Sequence, residues 1–229
     1  MTTNQRPGAV QIPEPLILQD LTLSLCSSGI TKTLFKKFDL EIQPGEITTI
    51  MGPSGCGKSS LLSFISGTLA KDFNAVGRVC LGQRDITSSP PEQRHIGMLF
   101  QEDLLFPHLS VGENLGFGIP AAVRQKNQRK MLIEEALEEA GLSGYADQDP
   151  ATLSGGQRAR VAVMRTLLSR PSALLLDEPF SKLDSALRER FRTFIFEHAR
   201  AHNLPTLLVT HDPEDARSAE GLILNMPFK

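Results

Sequence analysis

Cysteine is scarce and unpatterned in this chain. Cys26, Cys56 and Cys80 are odd in number and widely spaced, without metal-ligand spacing, and read as free thiols in a reducing cytoplasm. Long apolar runs are missing too, so no segment can span a bilayer. Residues 1–15 are polar and dotted with proline; they lack the apolar centre of a signal peptide and read as a loose tail. Neither sign of charge dominates. The 24 basic side chains are matched by 26 acidic ones without a block of either, which argues against nucleic acid as a partner. Internal repeats and low-complexity stretches are also absent. What remains, in 229 residues, can bury one sizeable core, or one core with an inserted subdomain.

One stretch organises the rest. Gly52, Pro53, Ser54, Gly55, Cys56, Gly57, Lys58 and Ser59 fit the phosphate-loop pattern G-x-x-x-x-G-K-[ST], with Ser60 directly following. The β-branched run Ile47-Thr48-Thr49-Ile50 precedes the loop and the apolar positions Leu61, Leu62 and Ile65 follow it, so the context is strand, turn, helix. Glycines let backbone N–H groups converge on a polyphosphate, and the helix adds its positive end. Lys58 can then reach the β/γ-phosphate oxygens, and the Ser59 hydroxyl can ligate Mg²⁺.

Leu21, Leu23 and Leu25 alternate with polar residues, and Phe38, Leu40 and Ile42 repeat the alternation before the turn Pro44-Gly45. Two such strands predict an antiparallel layer. Residues 77–81 and 95–100 read as further short strands. Leu132, Ile133, Ala136, Leu137 and Ala140 then recur at helical spacing, with Gly141 as a stop. Ser154 followed by Gln157 forms a capping box, so a helix starts there. Ala173-Leu174-Leu175-Leu176 and Leu207-Leu208-Val209 read as buried parallel strands, with a helix through Leu187, Phe191, Phe194 and Ile195 between them. Asp212-Pro213 caps a last helix. The pattern is an α/β sheet, whose ligands sit at the carboxyl ends of its strands. Gly52, Asp177 and His211 all fall at such ends.

Asp177 and Glu178 follow the buried strand, with Asp177 placed to hold Mg²⁺ beside Ser59 and Glu178 to polarise an attacking water. In Leu153-Ser154-Gly155-Gly156-Gln157, small residues at a capped helix start make a second anion site. Taken alone, that stretch also fits an ordinary cap, His211 a strand-end histidine, and Gln101 a surface amide.

Together, in this order, the motifs resemble the ATP-binding cassette (ABC) ATPases, over about residues 18–214. Gln101 stands where that family has its glutamine loop and Leu153 to Gln157 match its signature. Leu174 to Glu178 match its Mg²⁺ strand and catalytic glutamate. Ser181-Lys182-Leu183-Asp184 match its aspartate loop, and His211 its switch histidine. The resemblance implies a P-loop NTPase (RecA-like) α/β core over 16–100 and 158–229, with an antiparallel β layer and a helical signature subdomain over 101–157. It implies ATP and Mg²⁺ as cofactors, with Gln101 on Mg²⁺ and water and His211 on the γ-phosphate. Ser154, Gly155, Gly156 and Gln157 would act on the ATP of a second, head-to-tail copy.

The short segment from Gln101 to Leu109 and the intact signature look like those of importer ATPases, and the chain resembles the small cassettes of thiamine-type and related solute importers. That implies a peripheral subunit on the cytoplasmic face of the membrane, a separate integral-membrane permease and a solute-binding protein. Leu104, Leu105 and Phe106 are the expected docking group. An export or lipoprotein-releasing cassette, and a soluble cassette outside transport, stay open as alternatives. One departure stands out: the family places an aromatic after its first strand to cover adenine, whereas Leu25, Cys26, Ser27 and Ser28 stand here.

Overall fold

The computed structural model describes residues 13–27, 30–181, 183 and 185–226. They form two compact units, one of residues 14–104 with the chain from 171 onward, the other of Leu105–Arg170.

The first unit opens with strands β1 (Leu16–Ser27), β2 (Ile30–Ile42) and β3 (Ile47–Met51). Helix α1 (Lys58–Ser66), strands β4 (Phe73–Leu81) and β5 (Arg84–Asp85), the single turn α2 (Pro91–Arg94) and strand β6 (Ile96–Leu99) follow. The second unit contributes helices α3 (Val111–Gly118), α4 (Lys126–Glu139) and α5 (Gly155–Leu168). The chain then returns with β7 (Ala173–Asp177), α6 (Ser185–Ala201), β8 (Thr206–Thr210), α7 (Pro213–Ser218) and β9 (Ile223–Asn225).

Two sheets build the first unit. One is all parallel, ordered β6-β7-β8-β3-β9. Residues 173–176 and 206–210 are buried throughout, as expected of strands covered on both faces. The other is antiparallel, ordered β2-β1-β4-β5. Its apolar face changes parity midway, from Leu16 and Leu18 to Leu21 and Leu23, all buried. A bulge between Gln19 and Thr22 makes that possible, with Asp20 at φ 49° and its N–H donating to the Asp39 carboxylate. Gly77 of β4 lies over the bulge at φ 131°, where a Cβ would stand 2.7 Å from Leu21 Cα. Only glycine fits there. Buried side chains of both sheets and of α1 share one core, including Leu23, Phe35, Ile50, Leu61, Ile65, Leu175 and Val209.

Arg94 anchors the far end of α1. Its buried guanidinium donates to the carbonyls of Phe64 and Ile65 at 2.8 Å each, and to those of Ser89 and Thr87. A cation at a helix C-terminus meets otherwise unpaired carbonyls and the negative end of the dipole. In the helical unit, Ser110 and Glu113 form a capping box on α3. The fully buried Asn114 amide bonds the backbone of Phe106, Leu109 and Ser110.

One boundary differs from expectation. The subdomain edge expected at 157 falls inside α5, which belongs whole to the helical unit ending at Arg170. The reason is packing: α5 lies against α3 and α4, with Val161, Val163 and Met164 buried. The expected tail over 1–15 lies mostly outside the described residues. Among the described residues, no helix is long and apolar enough to cross a membrane.

Candidate functional site

The parallel register fixes the site's level. Met51 pairs with Thr210, Asp177 with Val209, and Leu99 with Leu176. Gly52, His211, Glu178 and Gln101 therefore leave the sheet at one carboxyl edge. Ser54, Gly55, Gly57, Lys58, Ser59, Ser60, Gln101, Asp177 and Glu178 line a single pocket there.

The phosphate loop runs directly into α1. Gly57 is the N-cap at φ 109°, no side chain caps the helix, and its first turn has no acidic residue. The free N–H groups there are suited to an anion. Lys58 is buried, and its ammonium donates to Gly52 O at 2.7 Å and Pro53 O at 3.0 Å. It stands 3.8 Å from the Glu178 carboxylate. Behind the loop, Cys56 Sγ donates to Met226 Sδ at 3.8 Å, and the Met226 N–H donates to Met51 O.

Ser59 Oγ donates to Asp177 Oδ1 at 3.1 Å. Burial pushes the Asp177 carboxyl above its ordinary range; the Ser59 hydrogen bond and Lys58 oppose this, and the Glu178 charge adds to it. Hydroxyl and carboxylate oxygens are the donors Mg²⁺ takes, with phosphates and waters completing its shell. Among the described residues no cluster of three acidic, histidine or cysteine side chains offers an all-protein metal site. The pair therefore fits Mg²⁺ brought in with phosphates.

Glu178 sits at φ 46°, a left-handed conformation that costs a non-glycine residue about 1–3 kcal/mol. Its N–H bonds Val209 O, and its carbonyl accepts from the Ser181 N–H and hydroxyl. So held, its carboxylate lies 3.1 Å from His211 Nδ1. The His211 turn is itself tied to α6: Arg188 donates to Asp212 at 2.7 Å and Arg192 to Asp215 at 3.1 Å. Burial raises the Asp215 carboxyl even beside Arg192.

Ser154, Gly155, Gly156 and Gln157 belong to the helical unit. Ser154 caps α5, its hydroxyl accepting from Gln157 N while Gln157 Oε1 accepts from Ser154 N. Ser154 and Gly155 are exposed, whereas Gly156 is buried. Asp184 and Lys182 lie outside the described residues. Three pocket-lining side chains escape sequence reasoning: Lys32, Leu34 and Phe73. Phe73 lies directly opposite Leu25, where an aromatic is missing along the chain. Only strand register reveals it.

The family model described as ABC transporter matches residues 35–181. The chain belongs to the ABC transporter ATP-binding family. It is 49% identical over 193 residues to the uncharacterized ABC transporter ATP-binding protein YnjD of Escherichia coli K12, covering 84% of this chain and 88% of that one. With the thiamine import ATP-binding protein ThiQ of Yersinia pseudotuberculosis it shares 45% identity, covering 78% and 75% of the two chains. A solved dimeric structure of the cassette MJ0796, in a post-hydrolysis state with ADP and Pi, matches it with a TM-score of 0.78 at 28% identity. That match covers 93% of this chain and 97% of the other. This cassette is thus an ATPase of the ABC class, with the mixed α/β fold of its neighbours.

Two outcomes follow from this geometry. Glu178→Gln should lower single-turnover ATP hydrolysis roughly 10²–10⁴-fold, the usual worth of a general base, while Mg-ATP still binds. Near wild-type turnover would place the base elsewhere. For Asp177, a folded-state pKa above the unfolded one means that stability from this group is present at low pH and lost as pH rises through the folded value. Asp177→Asn should therefore raise the melting temperature of the ligand-free protein at neutral pH, with the gap closing below the ordinary carboxylate pKa. A gap independent of pH would remove the titration from the explanation.

Proposed function

We infer that two copies of this cassette pair head to tail around two ATP molecules and power solute import through a separate membrane permease. The observation that carries the reading is a second small-residue helix start, closed in the single chain by its own capping box and exposed at Ser154 and Gly155. Ser154 and Gly155 are exposed at the head of the 14-residue helix α5, in a unit other than the one bearing the phosphate loop. A chain with two such helix starts can give one to its own ATP and one to its partner's. The dimeric neighbour and the relatives named as import proteins support the same assembly.

In this reading the loop from Gly52 to Ser60 cradles the β- and γ-phosphates. Lys58 exchanges the carbonyls of Gly52 and Pro53 for phosphate oxygens. Ser59, Asp177 and Gln101 would hold Mg²⁺, which would neutralise phosphate charge. Glu178 takes a proton from the attacking water. His211, released from Glu178, turns to the γ-phosphate. Asp184 is assigned to nucleotide binding by its match to the aspartate loop. Hydrolysis then separates the copies and moves the permease.

The permease meets the helical unit, at the cytoplasmic face of the membrane. The exposed apolar ring there is Phe117, 69% accessible, its centroid 4.7 Å from that of Phe106 and the two rings tilted. Phe106 itself is half-buried under the Arg165 guanidinium. On this reading Phe117 joins the expected docking group of Leu104, Leu105 and Phe106, of which Leu104 is also exposed.

Mixing variants tests the shared site. Ser154→Arg and Lys58→Ala are each expected to be inactive alone. Mixed, they restore one composite site per heterodimer and so part of the ATPase activity; no recovery at any ratio would count against a partner-supplied signature. Phe117→Glu tests docking. Transport in vesicles carrying the permease should fall at least tenfold while the isolated subunit hydrolyses ATP normally. Unimpaired transport would move the permease contact off this ring.

A further inference from the structure

The phosphate loop accounts for one end of the pocket. The other end is a patch of the antiparallel sheet, and its composition differs. In the register of β1 with its neighbours, Leu25 pairs with Lys32 on one side and with Phe73 on the other. Residues directly opposite in a sheet share a face, as do residues two apart on one strand. Lys32, Leu25 and Phe73 therefore form a row across three strands, with Leu34 beside Lys32, and all four line the pocket. Phe73 is partly buried, packed against the core, and so is held in place without being withdrawn from the pocket.

The row adjoins the phosphate loop. A Cβ at Gly57 would stand 3.0 Å from Leu34 Cδ1, so that side chain lies against the loop's last glycine. A ligand whose phosphates sit at the N-terminus of α1 can lay its remaining part over Leu34, Leu25 and Phe73. That surface is mainly apolar, with Lys32 at its edge. It suits a planar heteroaromatic ring, and among the described residues Phe73 is its only aromatic member.

We propose that Phe73, reached across the sheet from β4, is the base platform of this nucleotide site and replaces the aromatic residue missing after β1. The inference rests on the nucleotide reading above and names the residue that reads the base. Leu25 and Leu34 widen the surface by apolar contact, and the phosphate contacts remain blind to the base. Phe73 accordingly determines how much tighter a nucleotide binds than its bare polyphosphate.

The chain contains no tryptophan, so Phe73→Trp introduces a single tryptophan at the platform. ATP should quench its fluorescence, and tripolyphosphate, which occupies the same loop without a base, should leave it nearly unchanged. In parallel, Phe73→Leu should weaken ATP binding about two- to tenfold relative to wild type and leave tripolyphosphate affinity unaltered. Equal losses for both ligands would mean that Phe73 merely supports the loop. Unchanged ATP affinity, or no quenching by ATP, would take the base off Phe73. Failure of the wild-type chain to bind ATP at all would overturn the nucleotide reading itself, and this inference with it.

Discussion

The charge on Lys58 constrains everything around it. The side chain is 5% exposed, so its ammonium has lost nearly all its water, a cost of several kcal/mol without compensation. The carbonyls of Gly52 and Pro53 and the nearby Glu178 carboxylate offset part of that cost. Those partners exist only because β3 delivers the loop and β7 delivers Glu178 at the same edge of one parallel sheet. An arriving polyphosphate offers the lysine better partners than carbonyls, since charge-assisted bonds are about twice as strong as neutral ones. Binding is favoured by what folding leaves incompletely satisfied.

The acids opposite repeat that logic with the sign reversed. Asp177 and Glu178 are neighbours in a half-buried place, and burial with mutual repulsion makes ionisation of Asp177 costly. A cation at Ser59 and Asp177 removes that cost. Glu178 adds backbone strain, held by bonds to Val209 and Ser181. Stability is given up at the residues that the proposed chemistry needs, a common trade at active sites.

The His211 turn shows how a helix far along the chain keeps one side chain in place. Asp212 caps α7 through Glu214 N and also takes the Arg188 guanidinium of α6. Asp215 takes Arg192 and the Thr210 hydroxyl. Each acid thus ties α7 to an arginine of α6, one pair buried and the other half-exposed. Removing either partner would leave the other charge poorly solvated, so the turn and α6 are energetically one piece.

Much of this was legible along the chain because it depends on short-range chemistry. The phosphate loop, the Ser154–Gln157 capping box, the Asp212-Pro213 start of α7 and the buried runs of β7 and β8 are each specified within a few residues. Local hydrogen bonds and hydrophobic period need no knowledge of distant neighbours. The rest depends on pairing. Phe73 meets Leu25 only through the register of β1 with β4, and Met226 backs the phosphate loop only once β9 joins β3. Arg94 reads as an ordinary charged residue until its guanidinium is seen bonding the end of α1, and α5 joins the helical unit because of what its buried face packs against. The sequence by itself determined the elements and the candidate phosphate-binding groups, since propensity and capping are local. Tertiary structure decided which side chains complete the pocket beyond the phosphate loop and where the units divide, because cross-strand register and shared burial are properties of the folded whole.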